Sequence, residues 1–231
     1  MTITLITGAN KGLGREAARR LVEAGHVVYV GARNEAGGAA TALEVGGRFV
    51  ALDVLDESSV ATAAAAIEAE HGRLDVLINN AGIAGGTVLA SETTAEDVER
   101  VYATNVFGVV RVTHAFLPLL VRSPAPVIVN VSSGLGSLAV TNNPARFEST
   151  LKMIAYPSSK AALNMLTSQY AKSFPQIRVN AVDPGYTATD LNGHRGSQTV
   201  EEGAEIIVSM ASIGADGPTG GFFDRHGVVP W

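Results

Sequence analysis

No cysteine occurs among the 231 residues, which excludes disulfides, thiolate-bound zinc and a thiol nucleophile together. No basic block or stripe occurs either. The 17 Lys and Arg are outnumbered by 22 Asp and Glu, for a formal charge of -5, so the chain lacks an electrostatic footprint for nucleic acid or an anionic membrane. No window approaches the ~18 continuous apolar residues needed to span a bilayer. The N-terminus enters its first apolar run without the basic, apolar and small-residue succession of a signal peptide, so a cytoplasmic location is expected. The histidines, His26, His71, His114, His194 and His226, are scattered without ligand spacing, which disfavours a metal site. A Gly-x-Ser-x-Gly elbow is missing, which disfavours Ser-His-Asp hydrolysis.

What the chain has is apolar residues, 46% of the total, in a length suited to one domain with a full core. Short apolar runs, Ile3 to Ile6, His26 to Val30, Arg48 to Leu52, Leu74 to Ile78, Pro126 to Val131 and Ile177 to Val182, are separated by helical and turn-forming stretches, and Gly220 to Asp224 offers a last short strand. This alternation predicts an α/β chain whose mostly parallel sheet carries helices on both faces. Leu5 to Gly14, Leu-Ile-Thr-Gly-Ala-Asn-Lys-Gly-Leu-Gly, leads from the first run into a helical segment beginning at Arg15. Gly8, Gly12 and Gly14 let the backbone turn sharply and let a pyrophosphate approach the N-H groups of the helix start, where the dipole favours negative charge. Their spacing, Gly-x-x-x-Gly-x-Gly, matches neither the common dinucleotide fingerprint nor a nucleoside triphosphatase loop, and three glycines also make an ordinary strand-to-helix turn.

About 20 residues beyond the glycines, Gly31-Ala32-Arg33-Asn34 ends the second strand, where a dinucleotide site meets the adenosine ribose. Arg33, with Lys11, offers positive charge for a 2′-phosphate, so NADP(H) is the expected cofactor, while Glu35 keeps NAD(H) open. Asp53, before Val54 at the third strand's end, can accept from an adenine amino group or act as a cap. Asn79-Asn80-Ala81-Gly82 ends the fourth strand with amides able to bond neighbouring strands and small residues that let a ligand lie close to the backbone. Thr93-x-x-Glu96 has capping-box spacing and opens a long helix to about Val121. Asn105 and Gly108 in its middle fit either a solvated position or a bent helix turning a polar group toward a site. Ser132-Ser133-Gly134 follows the fifth strand, and residues 135–155 read as loop with a helical turn or two. Tyr156 and Lys160, one turn apart on the next helix, share a face. Asp183-Pro184-Gly185 breaks the chain before Tyr186, and Thr199-x-x-Glu202 caps a last helix.

Taken in order, Thr7-Gly8-x-x-x-Gly12-x-Gly14, Asn79-Asn80-Ala81-Gly82, Asn105, Ser133, Tyr156-x-x-x-Lys160 and Pro184-Gly185 make the chain resemble the short-chain dehydrogenase/reductase family over nearly its whole length. The resemblance implies a single doubly wound Rossmann-type domain, residues 1–231, with a seven-stranded parallel sheet, assembled as a homodimer or homotetramer. It also implies hydride transfer between a nicotinamide and a small carbonyl or alcohol. By resemblance Tyr156 is the general acid, Lys160 contacts the nicotinamide ribose and lowers the Tyr pKa, Ser133 orients the carbonyl oxygen, and Asn105 holds a water in a proton relay. The cofactor contacts so carried over are Gly8, Asn10, Lys11, Gly12, Leu13, Gly14, Arg33, Asp53, Val54, Asn79, Ala81, Gly82, Tyr156, Lys160, Pro184, Gly185, Thr187 and Thr189, with no metal. Ser132 is the alternative to Ser133. Segments at about 134–155 and 186–198 are expected to shape an apolar substrate pocket from Leu135, Leu138, Phe147, Met153, Tyr186 and Leu191. The expected activity is NADPH-dependent carbonyl reduction. A non-catalytic NADP-binding redox sensor and an NAD-preferring alcohol dehydrogenase are the alternatives.

Overall fold

In the computed structural model, which describes residues 1–86 and 88–231, every residue of β1 (Ile3–Thr7) is buried. A strand covered on both faces needs no polar side, which is why it reads as a run rather than an alternation. The chain continues through α1 (Gly12–Glu23), β2 (Val27–Ala32), α2 (Glu35–Val45), β3 (Arg48–Ala51), α3 (Glu57–His71) and β4 (Val76–Asn79). One long helical path follows, made of α4 (Ala95–Tyr102), a π-helical turn (Ala103–Gly108) and α5 (Val109–Leu120). Then come β5 (Val127–Val131), α6 (Leu138–Thr141), α7 (Ala155–Ser173), β6 (Arg178–Val182), α8 (Val200–Ala211), β7 (Phe222–Asp224) and β8 (Gly227–Val228).

Among the described residues the strands form one eight-stranded sheet in the order β3-β2-β1-β4-β5-β6-β7-β8. The first seven are parallel, as expected, and β8 adds a short antiparallel edge paired through Phe223↔Val228. The order reverses between β1 and β4, so a crevice opens beyond their carboxyl ends. Successive side chains alternate between two cores. Leu5 points into the layer of Ile67, Phe116 and Leu120, while Ile6 points into that of Leu21, Val30 and Ile207. The Ala95–Leu120 path is long and apolar enough to cross a membrane. Its composition answers instead to the core, since Val101, Val112, Phe116 and Leu120 are wholly buried.

Helix α2 is the element the sequence patterning leaves out. Asn34 caps it by accepting from Gly37 N at 2.8 Å, and a Cβ on Gly38 would collide with the Phe49 ring at 2.4 Å. The glycines that argue locally against a helix are what lets this one lie close on β3. Helix α4 starts one residue later than its signature suggests. Thr94 Oγ1 accepts from Asp97 N at 3.3 Å and Asp97 accepts in return, while the Thr93 hydroxyl donates to Leu89 O at 2.9 Å. Thr94→Ala is therefore expected to cost about 1 kcal/mol, and Thr93→Ala less than half as much, read as shifts of the thermal midpoint.

Candidate active site

Gly8 and Gly12 adopt φ of +63° and +54°, a region costly for other residues. A Cβ on Gly8 would lie 2.9 Å from Ala81 Cα, and one on Gly14 would lie 2.5 Å from Asn80 Nδ2. The loop is thus interlocked with the end of β4. Thr7 Oγ1 accepts from Asn80 N and Ala81 N, both at 3.0 Å, and Asn80 Nδ2 donates to Thr7 O at 2.9 Å and Gly8 O at 3.1 Å. This brace presents the start of α1, which carries no side-chain cap and no acid in its first turn, to the crevice.

A cleft of ≈ 640 Å³ runs from Arg33, Asp53 and Val54 past the glycine loop and Gly82 to Tyr156, Lys160 and Pro184. Its bare backbone at Gly8, Gly12, Ala81 and Gly82 and the uncapped helix start fit an elongated pyrophosphate-bridged group. Gly8, Asn10, Lys11, Gly12, Leu13, Arg33, Asp53, Val54, Ala81, Gly82, Pro184 and Thr189 all line it. Asn79 does not reach it with its side chain. That amide is buried inside the sheet, donating to Asn130 Oδ1 at 2.8 Å, and its neighbour Asn80 takes the place in the lining. Gly14 packs the helix against the strand rather than lining the cleft, and the buried Thr187 spends its hydroxyl on Pro184 O at 3.0 Å. Gly185, at φ +72°, turns the chain and donates its N-H to Asp183 Oδ1 at 3.0 Å. Lys11 is paired with Asp190 at 2.7 Å, and Asp190 also meets His194 at 2.7 Å.

At the inner end, Tyr156 sits half-buried on the first turn of α7, with Lys160 buried one turn on. Lys160 Nζ donates to Val131 O at 2.7 Å and stands 5.6 Å from the Tyr156 ring centre. Of the two serines after β5, Ser132 is buried and donates to Asn164 Oδ1 at 2.5 Å, whereas Ser133 lies beside the Tyr156 phenol and its Oγ accepts from Leu135 N at 3.2 Å. Ser132 lines the cleft, but its hydroxyl is already committed to Asn164. Asn105 lies in the π-helical turn, and of its two sequence readings the inward-facing one holds. Its Oδ1 accepts from Ile83 N at 2.9 Å, and its Nδ2 donates to Ile83 O and Ser159 Oγ, both at 3.0 Å. A Cβ on Gly82 would lie 3.4 Å from Asn105 Oδ1 and 3.7 Å from Lys160 Nζ, so both groups meet over that bare position.

Burial pushes the Tyr156 phenol well above its ordinary range, Asp183 adds to the push, and the nearby Ser133 hydroxyl opposes it. Burial lowers the Lys160 ammonium to about 8, against the pull of Asp183. The sequence predicts that Lys160 lowers the Tyr pKa. In the structure desolvation dominates both groups. Asp183 is itself raised by burial, then held down by the N-H groups of Gly185 and Gly134, with Glu148 and Asp224 raising it further. Sequence reasoning used this aspartate only as a turn signal. The clue it carried was an acid closing an apolar strand directly before Pro-Gly.

A doubly wound parallel sheet with a glycine loop at its switch point places the molecule in the dinucleotide-binding class of α/β proteins. Residues 2–200 match the model of the short chain dehydrogenases, and the chain belongs to that family of oxidoreductases. It is 33% identical to a (+)-neomenthol dehydrogenase of Capsicum annuum, over 97% of this chain and 96% of that protein. Among solved structures, the NADPH-bound carbonyl reductase from chicken fatty liver overlays with a TM-score of 0.88 at 28% identity, covering all of both chains. Salutaridine reductase from Papaver somniferum overlays with a TM-score of 0.85 at 30% identity, over 97% of this chain and 100% of the other.

Proposed function

We propose that this protein is an NADPH-dependent reductase of small ketones or aldehydes. The observation that carries the reading is that Tyr156 and Lys160 line the inner end of a cleft whose bare backbone fits a dinucleotide, with Ser133, from a separate segment, beside the phenol. When bound, the nicotinamide supplies the hydride. The glycine loop and the α1 start would hold the pyrophosphate, Asp53 and Val54 the adenine end, Gly82 and Lys160 the nicotinamide ribose, and Arg33 a 2′-phosphate. Lys11 would join Arg33 by exchanging its Asp190 partner.

Negative charge growing on the substrate oxygen meets two placed donors, the Tyr156 phenol and the Ser133 hydroxyl, which act more strongly in the transition state than before it. Tyr156 gives up the proton. The Lys160 ammonium stabilises the phenolate left behind, and Asn105, facing it over Gly82, is placed to hold a water that returns the proton. Phe147 and Tyr186, both exposed with ring centres 6.1 Å apart, offer an aromatic rim for an uncharged substrate. Exposed Phe107 and Met165, on the π-helical turn and on α7, support assembly as a homodimer or homotetramer.

The reading is tested by following NADPH and NADH oxidation across a panel of ketones, aldehydes and quinones. NADPH turnover with neutral carbonyls is expected, and NADPH binding with no turnover on any of them would favour the sensor. Arg33→Ala is expected to raise KM for NADPH about tenfold, or ~1.4 kcal/mol, with KM for NADH nearly unchanged. Equal rises for both cofactors would remove Arg33 from 2′-phosphate recognition.

A further inference from the structure

We propose that Asp183 is a positioning residue whose buried carboxylate opposes Lys160, keeping the proton on Tyr156 so that the pair donates to substrate over a wider alkaline range. The inference rests on Tyr156 being the proton donor. Its geometry comes from the sheet. Val131 pairs with Val182, and Ser132 N donates to Val182 O at 2.7 Å, so Asp183 stands beside the bend that carries Ser133. Asp183 is 8% exposed, its N-H donates to Phe223 O at 2.8 Å, and its Oδ1 accepts from Gly185 N at 3.0 Å. A Cβ built on Gly134 would lie 2.9 Å from Asp183 Oδ2, so the residue after Ser133 is bare against this carboxylate.

The charges facing Asp183 come from three directions. The turn at Phe147–Thr150 brings Glu148, whose Oε1 would lie 3.2 Å from that same Cβ. Arg146, just before the turn, spends its guanidinium on Glu148 at 3.0 Å and therefore neutralises Asp183 only in part. Strand β7 brings Asp224, next to the Phe223 carbonyl that takes the Asp183 N-H, and α7 brings Lys160, whose Nζ donates at 2.7 Å to the carbonyl of Val131, the register partner of Val182 just before Asp183, with Tyr156 one turn earlier. An anion beside a phenol disfavours phenolate, and beside an ammonium it favours the charged form. Removing it therefore lets both groups lose their protons at lower pH. The two titrate as a coupled pair, so the shift belongs to the pair.

The test compares wild type with Asp183→Asn, which keeps an acceptor for Gly185 N, and with Asp183→Ser as a second neutral variant. Two readouts are taken. One is the alkaline limb of kcat/KM for carbonyl reduction. The other is the pH midpoint of Lys160 acetylation by acetic anhydride in the cofactor-free protein, mapped by mass spectrometry, which reports even if no substrate is turned over. Both midpoints are expected to fall by about one pH unit in whichever variant folds, costing about tenfold in rate above the new midpoint. Unmoved midpoints in a cooperatively melting variant would overturn the proposal. Failure of both variants to fold would overturn it too, by assigning Asp183 to the end of β6 alone. A lowered acetylation midpoint without carbonyl turnover would uphold the electrostatic role while removing the reductase reading.

Discussion

Tyr156→Phe is expected to lower kcat for carbonyl reduction by about a thousandfold while leaving NADPH affinity and the thermal midpoint near those of the wild type. The substitution removes one oxygen and keeps the ring, so the packing of the first turn of α7 survives. Lys160 keeps its 2.7 Å bond to Val131 O and its place over the ring. What disappears is the donor that gives up its proton as charge builds on the substrate oxygen. That interaction belongs to the transition state, so the loss should fall on kcat with KM nearly constant. Ser133 still donates to that oxygen, which is why a residual rate above the uncatalysed one is expected. A variant within tenfold of wild type would move the proton donation to Ser133 or to solvent. Tight NADPH binding with an equally small rate in the wild type would leave the molecule a sensor.

The sequence announces this site better than its electrostatics. Tyr156 and Lys160 are one helical turn apart, so their shared face follows from helix geometry. The glycine loop and the strand before it are local features, and they fold as read. Asn105 is legible as an oddity, an amide within an apolar helix, and the π-helical turn is the backbone's answer to it. Other features depend on neighbours that no local pattern contains. Which of two adjacent serines faces the phenol is decided by Asn164, which takes Ser132. Lys11 reads as a phosphate ligand, yet Asp190, far along the chain, is its partner here. Asn79 and Asn80 look interchangeable until the alternation of β4 sends the first into the sheet interior and leaves the second at the loop. Asp183 acquires its influence from burial and from Glu148 and Asp224, neither of which marks it in sequence. The β8 edge of two residues is too short for any period to show.

Asn130→Ala is expected to cost about 3 kcal/mol of stability and to lower the thermal midpoint by about 6–12 °C. Asn130 is 1% exposed in the middle of β5, the strand that delivers Ser133. Its Oδ1 accepts from Asn79 Nδ2 at 2.8 Å and its Nδ2 donates to Thr167 Oγ1 at 2.9 Å, tying β4 to β5 and β5 to α7. Truncation leaves Asn79 only its 3.3 Å bond to Thr113, while Asn79 Oδ1 has no partner among the described residues in the intact protein. Each buried polar group so stranded costs about 1–3 kcal/mol, and the emptied volume adds to that. Asn79→Ala alone should cost less, because it removes the unpaired oxygen together with the donor. The double variant should then be less destabilised than the sum of the two, since the bond between the two amides can be lost only once. Additive losses, or a cost for Asn130→Ala below 1 kcal/mol, would mean that water enters between β5 and α7 and serves these amides equally well. Thr167 shares α7 with Tyr156 and Lys160, so an intact ladder also predicts that Asn130→Ala lowers kcat at temperatures well below its own melting transition.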